Sequence, residues 1–252
     1  ASMLIQFVME NGPPGPGGLP TFGPGNAMVM PGAMNMGMGG GGSCTDCIKQ
    51  MWANTPAFSR FIFIWSFTIY LLSYISVYVL YALFLSPQLV LYQFQIWRLF
   101  TAPLTHPQLL QLLFCLLSYL PHGMAAERQI GTVRYIARFF MLASVALLMF
   151  TLACGVLGIN QYSAGLWPMF FCDLVIECMA NAEQVTGLCC LPVQIKRKWY
   201  PLILIVIFSL LFPQFDMWFG FFVGYMYHFG LFKRIEMGTN TATLLENKWP
   251  MK

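Results

Sequence analysis

The sequence predicts an all-α integral membrane protein built as a bundle of six helical spans. Three observations carry this: the composition, the spacing of the apolar runs and the placement of the basic residues. The chain has 252 residues, of which 58% are hydrophobic and only 9% charged, and its mean hydropathy is +0.65. A soluble domain carries about 25% charged residues. Too few charges are present to coat a water-facing surface, so much of the apolar surface must face lipid. The net charge of +4 is modest. No basic stripe with interleaved aromatics occurs, so nucleic acid is not an expected partner.

Six apolar runs follow one another at 61–85, 108–124, 136–157, 163–180, 199–215 and 217–232. The first is long enough to cross a hydrocarbon core of roughly 30 Å at about 1.5 Å per residue. Pro121 interrupts the second run. The last three are short, as helices packed inside a bundle can be. Between runs one and two, residues 86–107 are amphipathic and aromatic ("LYQFQIWRLF"). They read as an interfacial element lying on the membrane.

The basic residues sort the loops. Arg60 precedes run one. Arg128, Arg134 and Arg138 flank the start of run three, Lys196, Arg197 and Lys198 precede run five, and Lys233 and Arg234 follow run six. These are alternate connections. The opposite connections hold Arg98 and Asp216. Six spans with both termini inside satisfy the positive-inside rule, and five or seven would not.

The chain divides into an arm (1–59), a membrane domain (60–235) and a short tail (236–252). Residues 11–43 are dominated by Gly, Pro and Met, a composition that cannot build a core. Such an arm is either a disordered tail or a strap ordered by a partner protein. Residues 1–9 are apolar but lack a basic flank and a cleavage site, and make a poor signal peptide.

No metal or cofactor is expected. Of eight cysteines, Cys115, Cys154, Cys172 and Cys178 lie in apolar runs, where cysteine acts as a small hydrophobe. Cys44 and Cys47 form a lone C-x-x-C, weak for zinc, which wants four ligands. The adjacent Cys189 and Cys190 would complete such a set awkwardly. The Gly-rich arm precedes no helix start with a lysine, so no phosphate loop is indicated.

The order of motifs resembles the rhomboid superfamily. The residues are "QIWRLFTAPLTH" (95–106) with Trp97 and Arg98 in the first loop, "ERQIGTVRYIARFF" (127–140) entering span three, and "GFFVGYMYHFG" (220–230) in span six. The first two are most similar to the non-proteolytic branches, the derlins and the rhomboid-like proteins with a ubiquitin-associated domain. The resemblance implies a rhomboid-like six-helix bundle with an amphipathic first loop. Proteolytic rhomboids carry a nucleophile in G-x-S-G at the start of span four and a base in H-x-x-G-x-x-x-G on span six. Here Ser163 falls on the nucleophile position, but Gln161 and Ala164 replace the glycines. Gly220 and Gly224 fall on the span-six glycines, and Met217 falls on the histidine.

An acyl-transfer serine needs a base within hydrogen-bond reach. The chain has three histidines. His228 is about 16 Å deeper along span six than Met217, His122 is at the inner end of span two, and His106 lies in the outer loop with no motif to place it. The expected state is therefore a pseudoprotease, with Ser163 as a helix cap. Gly220 and Gly224 are expected to let helices pack closely.

Asp173 and Glu177 lie i, i+4 on one face of span four. Carboxylates inside a membrane are costly and mark functional positions by default. They are expected either to meet a partner's cation or to pair internally, Glu177 with Arg138. The functional expectation is a derlin-like scaffold in quality control at the endoplasmic reticulum, binding membrane clients. The alternative is a structural accessory subunit of a large membrane complex, such as one in the mitochondrial inner membrane. An active protease ranks third.

Overall fold

The computed structural model describes residues 49, 52–188, 191–211, 214–232, 235 and 238. The expectations for the 11–43 arm, the C-x-x-C, Cys189, Cys190, Lys233 and Arg234 lie outside the described residues.

The elements are α1 (Ala57–Ile75), α2 (Val77–Leu83), α3 (Pro87–Gln93), α4 (Arg98–Thr101), a 3-10 turn (Ala102–Leu104), α5 (Leu109–Ile130), α6 (Thr132–Leu157), α7 (Trp167–Ala180), β1 (Val185–Leu188), β2 (Leu191–Lys196), a 3-10 turn (Arg197–Trp199), α8 (Tyr200–Leu211) and α9 (Asp216–His228). Among the described residues, three helices are long and apolar enough to cross a membrane: α1, α5 and α6, with 19, 22 and 26 residues. Helices α7, α8 and α9 have 14, 12 and 13 residues. At 1.5 Å per residue α7 and α9 reach only about 20–21 Å, and α8 is described as far as Leu211.

Three expectations change. The run 61–85 is not one helix, because the backbone is extended at Ser76 (φ −143°, ψ 115°). The surrounding Tyr74-Ile75-Ser76-Val77-Tyr78-Val79 is β-branched and aromatic, residues that lose side-chain freedom in a helix. Little tertiary packing overrides that, for no residue of α2 is buried. Pro121 does not interrupt the second run; α5 continues through it. The stretch 185–196, read from sequence as a loop, is an antiparallel hairpin pairing Val185 with Lys196 and Thr186 with Ile195. The fold is thus mostly helical rather than all-α. The β-branched Val185, Thr186, Val193 and Ile195, which favour strands, are the local reason.

The first-loop motif closes the end of α2. A helix leaves its last four carbonyls without intrahelical donors. Here Arg98 Nη1 donates to Tyr81 O (2.7 Å) and Phe84 O (2.6 Å), Thr101 Oγ1 to Leu83 O (2.9 Å), and Trp97 Nε1 to Ala82 O (3.4 Å). Arg98 is buried in doing so.

Glu127 does the reverse for α1. That helix follows Pro56 and has no side-chain cap of its own. The carboxylate of Glu127 accepts from Phe58 N (2.8 Å), Ser59 N (2.9 Å), Ser59 Oγ (2.8 Å) and Thr132 Oγ1 (2.8 Å). An anion is favoured there by the free N–H groups and the helix dipole. Gly131, at φ +87°, makes the turn that brings Thr132 back to Glu127. The Glu and Gly-Thr of the 127–140 motif therefore have a structural role.

Helix α7 is the centre of the core, buried along nearly its whole length. Helix α9 packs directly on it. A Cβ built on Gly220 would stand 1.9 Å from Pro168 O, and one on Gly224 would stand 2.8 Å from Cys172 O. Small residues permit this backbone approach.

Replacing Glu127 by Ala removes a buried acceptor from four donors. We expect a loss of about 3 kcal/mol, against a smaller loss for Glu127→Gln. The check is thermal unfolding in mild detergent, where an unchanged midpoint for Glu127→Ala would contradict the role.

Candidate functional site

Ser163 is not the first residue of the fourth helix. Helix α7 starts at Trp167, Leu166 occupies the cap position, and no side chain caps it. Ser163 lies four residues earlier, in an extended segment bridged to Leu85. Leu85 N donates to Ser163 O (2.9 Å) and Ser163 N to Leu85 O (3.1 Å). Pro168 favours the later start, because proline suits the first helical turn. Gly165, at φ +108°, provides the turn before it.

The Ser163 hydroxyl donates to Asp216 Oδ2 at 2.6 Å, and both residues are buried. Asp216 is the first residue of α9. Met217 follows it, fully buried, with Ser209 Oγ 3.9 Å from its sulfur. Ser209 Oγ also accepts from Trp218 Nε1 (3.0 Å). Chemically, the serine proton is committed to a carboxylate. The next position along α9 offers a thioether, which cannot act as a proton acceptor in acyl transfer.

His106 lies beneath the same segment. A Cβ built on Gly165 would meet its Cδ2 at 3.3 Å and Nε2 at 3.4 Å. Gln111 Nε2 donates to Ala164 O (2.9 Å) beside it. His106 is fully buried, and neither ring nitrogen has a partner among the described residues. Burial pushes its imidazole down to about 4, so the ring is neutral near pH 7. His228 is exposed at the far end of α9.

A second polar group lies within the bundle. Arg138 Nη2 pairs with Asp173 Oδ1 at 3.4 Å. Tyr135 OH donates to Asp173 Oδ2 (3.3 Å) and is hydrogen-bonded to Tyr119 OH. The Arg138 guanidinium also lies over the rings of Tyr135 and Tyr227. Glu177 binds Arg197 Nη2 (2.8 Å) and His122 Nδ1 (2.6 Å). The expected Glu177–Arg138 pair is therefore replaced by two separate pairs. Depth explains this. Arg138 is six residues into α6 and Asp173 is seven from the end of α7, each about 10 Å from the same side of the bundle. Glu177 is one turn nearer that side, level with Arg197 at the foot of α8. Both carboxylates are satisfied internally, as buried charges require.

Sequence reasoning placed Ser163, Met217, Asp173, Glu177, Arg138, Gly220, Gly224, Trp97 and Arg98 as candidates. It treated Asp216 only as a loop charge and missed Glu127, Arg197, His106 and His122 as members of these clusters. Glu127 had a signal, since it stands at the head of a recognised motif. Asp216 had only its position next to Met217.

A short-helix bundle with a polar first loop, a serine-bearing segment ahead of α7 and a glycine-paired α9 defines a class of integral membrane protein. The profile of the Rhomboid domain matches residues 93–234, more than half of the chain, and the chain belongs to the rhomboid family. It is similar to Rhomboid-like protein 15 of Arabidopsis thaliana, with 26% identity over 217 residues, 79% of this chain and 53% of that protein. The chain thus spans about half the length of that relative.

His106 carries a pH expectation. Its folded value of about 4 lies below the usual 6.5. The neutral ring's contribution is complete above about pH 6.5 and is lost as pH falls through about 4. The effect is of the order of 3 kcal/mol. Unfolding midpoints measured across that window should fall for the native chain and flatten in His106→Leu. Parallel profiles would contradict this.

Proposed function

We propose that this is a non-catalytic rhomboid-like membrane protein, a six-span pseudoprotease with both termini inside, that binds transmembrane clients or partner proteins. The observation that carries the proposal is the Ser163–Asp216 hydrogen bond at 2.6 Å with Met217 in the following position. The nucleophile position has a proton-accepting carboxylate that holds the hydroxyl in place. No imidazole is hydrogen-bonded to it among the described residues, His106 included.

The short α7 and α9 support a client-binding role. Helices of about 20–21 Å in a hydrocarbon layer of about 30 Å favour local thinning of the bilayer. A thinned zone lowers the cost of exposing polar residues of a client helix. The motifs at 95–106 and 127–140 support a derlin-like scaffold or quality-control role, with the endoplasmic reticulum as the membrane. The second reading is an accessory subunit of a large membrane complex, such as one in the mitochondrial inner membrane. The Gly/Pro/Met composition of the arm favours it, because such a segment needs a partner's surface to become ordered.

The first test is chemical. A fluorophosphonate probe should leave the purified, detergent-solubilised protein unlabelled, and Met217→His should also remain unlabelled because Ser163 stays bound to Asp216. Labelling that disappears in Ser163→Ala would overturn the proposal. The second test is composition. Material isolated in mild detergent should carry substoichiometric ubiquitin-pathway or segregase factors. A fixed set of complex subunits in equal amounts would favour the second reading instead.

A further inference from the structure

Two guanidiniums from different helices meet beside the start of α1. Arg60 is one turn into α1, and Arg128 is in the last turn of α5. The Glu127 bonds to Phe58 N and Ser59 N place these two helix ends side by side. Both arginines hold the same short stretch of backbone ahead of α1. Arg60 Nε donates to Thr55 O (2.6 Å) and its Nη2 to Ala53 O (2.8 Å), while Arg128 Nη2 donates to Asn54 O (2.7 Å). These bonds fix both guanidinium planes and leave most of their N–H groups uncommitted.

Neither cation is paired with a carboxylate among the described residues. The other printed pairs are closed: Arg138 on Asp173, Arg197 on Glu177, and Lys196 and Lys198 on Glu183. Glu127, adjacent to Arg128 in the chain, is buried and turned inward onto Phe58, Ser59 and Thr132. Arg128 itself is exposed. The junction therefore presents two preorganised positive groups and no competing acidic oxygen beside them.

An aromatic track begins at the same place. The Arg60 guanidinium lies over the ring of Trp52, 5.9 Å from its centroid. Trp52 meets Phe63 edge to face at 6.0 Å, and Phe63 stacks with Phe67 at 6.4 Å. All three side chains are exposed. Phe63 and Phe67 are i, i+4 on one face of α1. From Arg60 to Phe67 the helix rises about 10 Å, roughly a third of the way through a hydrocarbon core of about 30 Å.

We propose that this junction seats one anionic phospholipid, with its phosphate on Arg60 and Arg128 and an acyl chain along Trp52, Phe63 and Phe67. The seat rests on the reading of α1 and α5 as membrane spans, and both are long and apolar enough to cross. Charge selects the headgroup. A guanidinium presents a planar fork to phosphate oxygens, and basic sites between helix ends on the inner side of a membrane complement anionic lipid. A choline headgroup brings its own cation against the two arginines and binds less well. The aromatic track favours a lipid over a free anion, because a soluble phosphate has no chain to lay on it. A phosphate shared by Arg60 and Arg128 also adds a tie between α1 and the end of α5.

The test is native mass spectrometry of the full chain in mild detergent, with phosphatidylglycerol or phosphatidylcholine of matched acyl chains. The one-lipid adduct should be at least fivefold more abundant with phosphatidylglycerol. Arg60→Gln with Arg128→Gln should abolish that preference, whereas Lys196→Gln with Lys198→Gln should keep it. Phe63→Ala with Phe67→Ala should lower phosphatidylglycerol retention at least threefold. Those two side chains are on an exposed face, so this variant decides the matter if the arginine variant does not fold. Glycerol phosphate, which lacks acyl chains, should leave the adduct in place at equal concentration. Equal adducts with both lipids, or a preference that survives the arginine change, would overturn the proposal. Unchanged retention in the phenylalanine variant, or displacement by glycerol phosphate, would make the site one for a free anion and overturn it too. Release of the protein from membranes by alkaline carbonate would instead overturn the span reading. Fluorophosphonate labelling would bear on the pseudoprotease reading alone.

Discussion

The contact between Gly220 and the Pro168 carbonyl sets the register of the molecule. No side-chain atom fits between α9 and α7 at that point, since a single added Cβ would be 1.9 Å from Pro168 O. Close-packed interiors give little room to relax such an overlap. With α9 held at that height, its first residue, Asp216, meets Ser163, and Met217 is sealed into the core. The same contact brings Gly224 against Cys172 and Val175, next to Asp173. Ser163 and the buried Arg138–Asp173 pair are thus positioned by one close approach of two helices.

The ends of the helices are held by a different kind of contact. A membrane bundle gains little from the hydrophobic effect between helices, so polar contacts and packing must specify the arrangement. The chain uses side chains from one element to satisfy the backbone of another. Trp97, Arg98 and Thr101 close α2, and Glu127 opens α1. These contacts tie the first loop and the α5–α6 turn to the first span. They give a physical reason for the motif residues at these positions.

How much could be read from sequence follows from which forces are local. The membrane class is an additive property of composition and was legible at once. The three long apolar helices and the small-residue seam at Gly220 and Gly224 come from patterns within one segment, and both were readable. The break at Ser76 was not, because hydropathy is blind to whether α2 finds anything to pack on. The late start of α7 was hidden for a similar reason: Ser163 is an excellent cap by type, but Gly165 and Pro168 move the helix start past it. The pairing of Arg138 with Asp173 instead of Glu177 depends on the relative depth of two helices. Asp216 is the clearest case. Its role depends entirely on the α7–α9 register, and nothing in the sequence around it signals a serine partner 53 positions away.

We propose that Ser163 and Asp216 form a structural clasp in place of a catalytic pair. A double-mutant cycle of Ser163→Ala, Asp216→Asn and the combined variant, followed by equilibrium unfolding in mild detergent, tests it most directly. The expected coupling between the two positions is about 1–3 kcal/mol, the range for a buried hydrogen bond to a charged group. Additive effects with no coupling would contradict it, and would return Ser163 to the standing of a free hydroxyl.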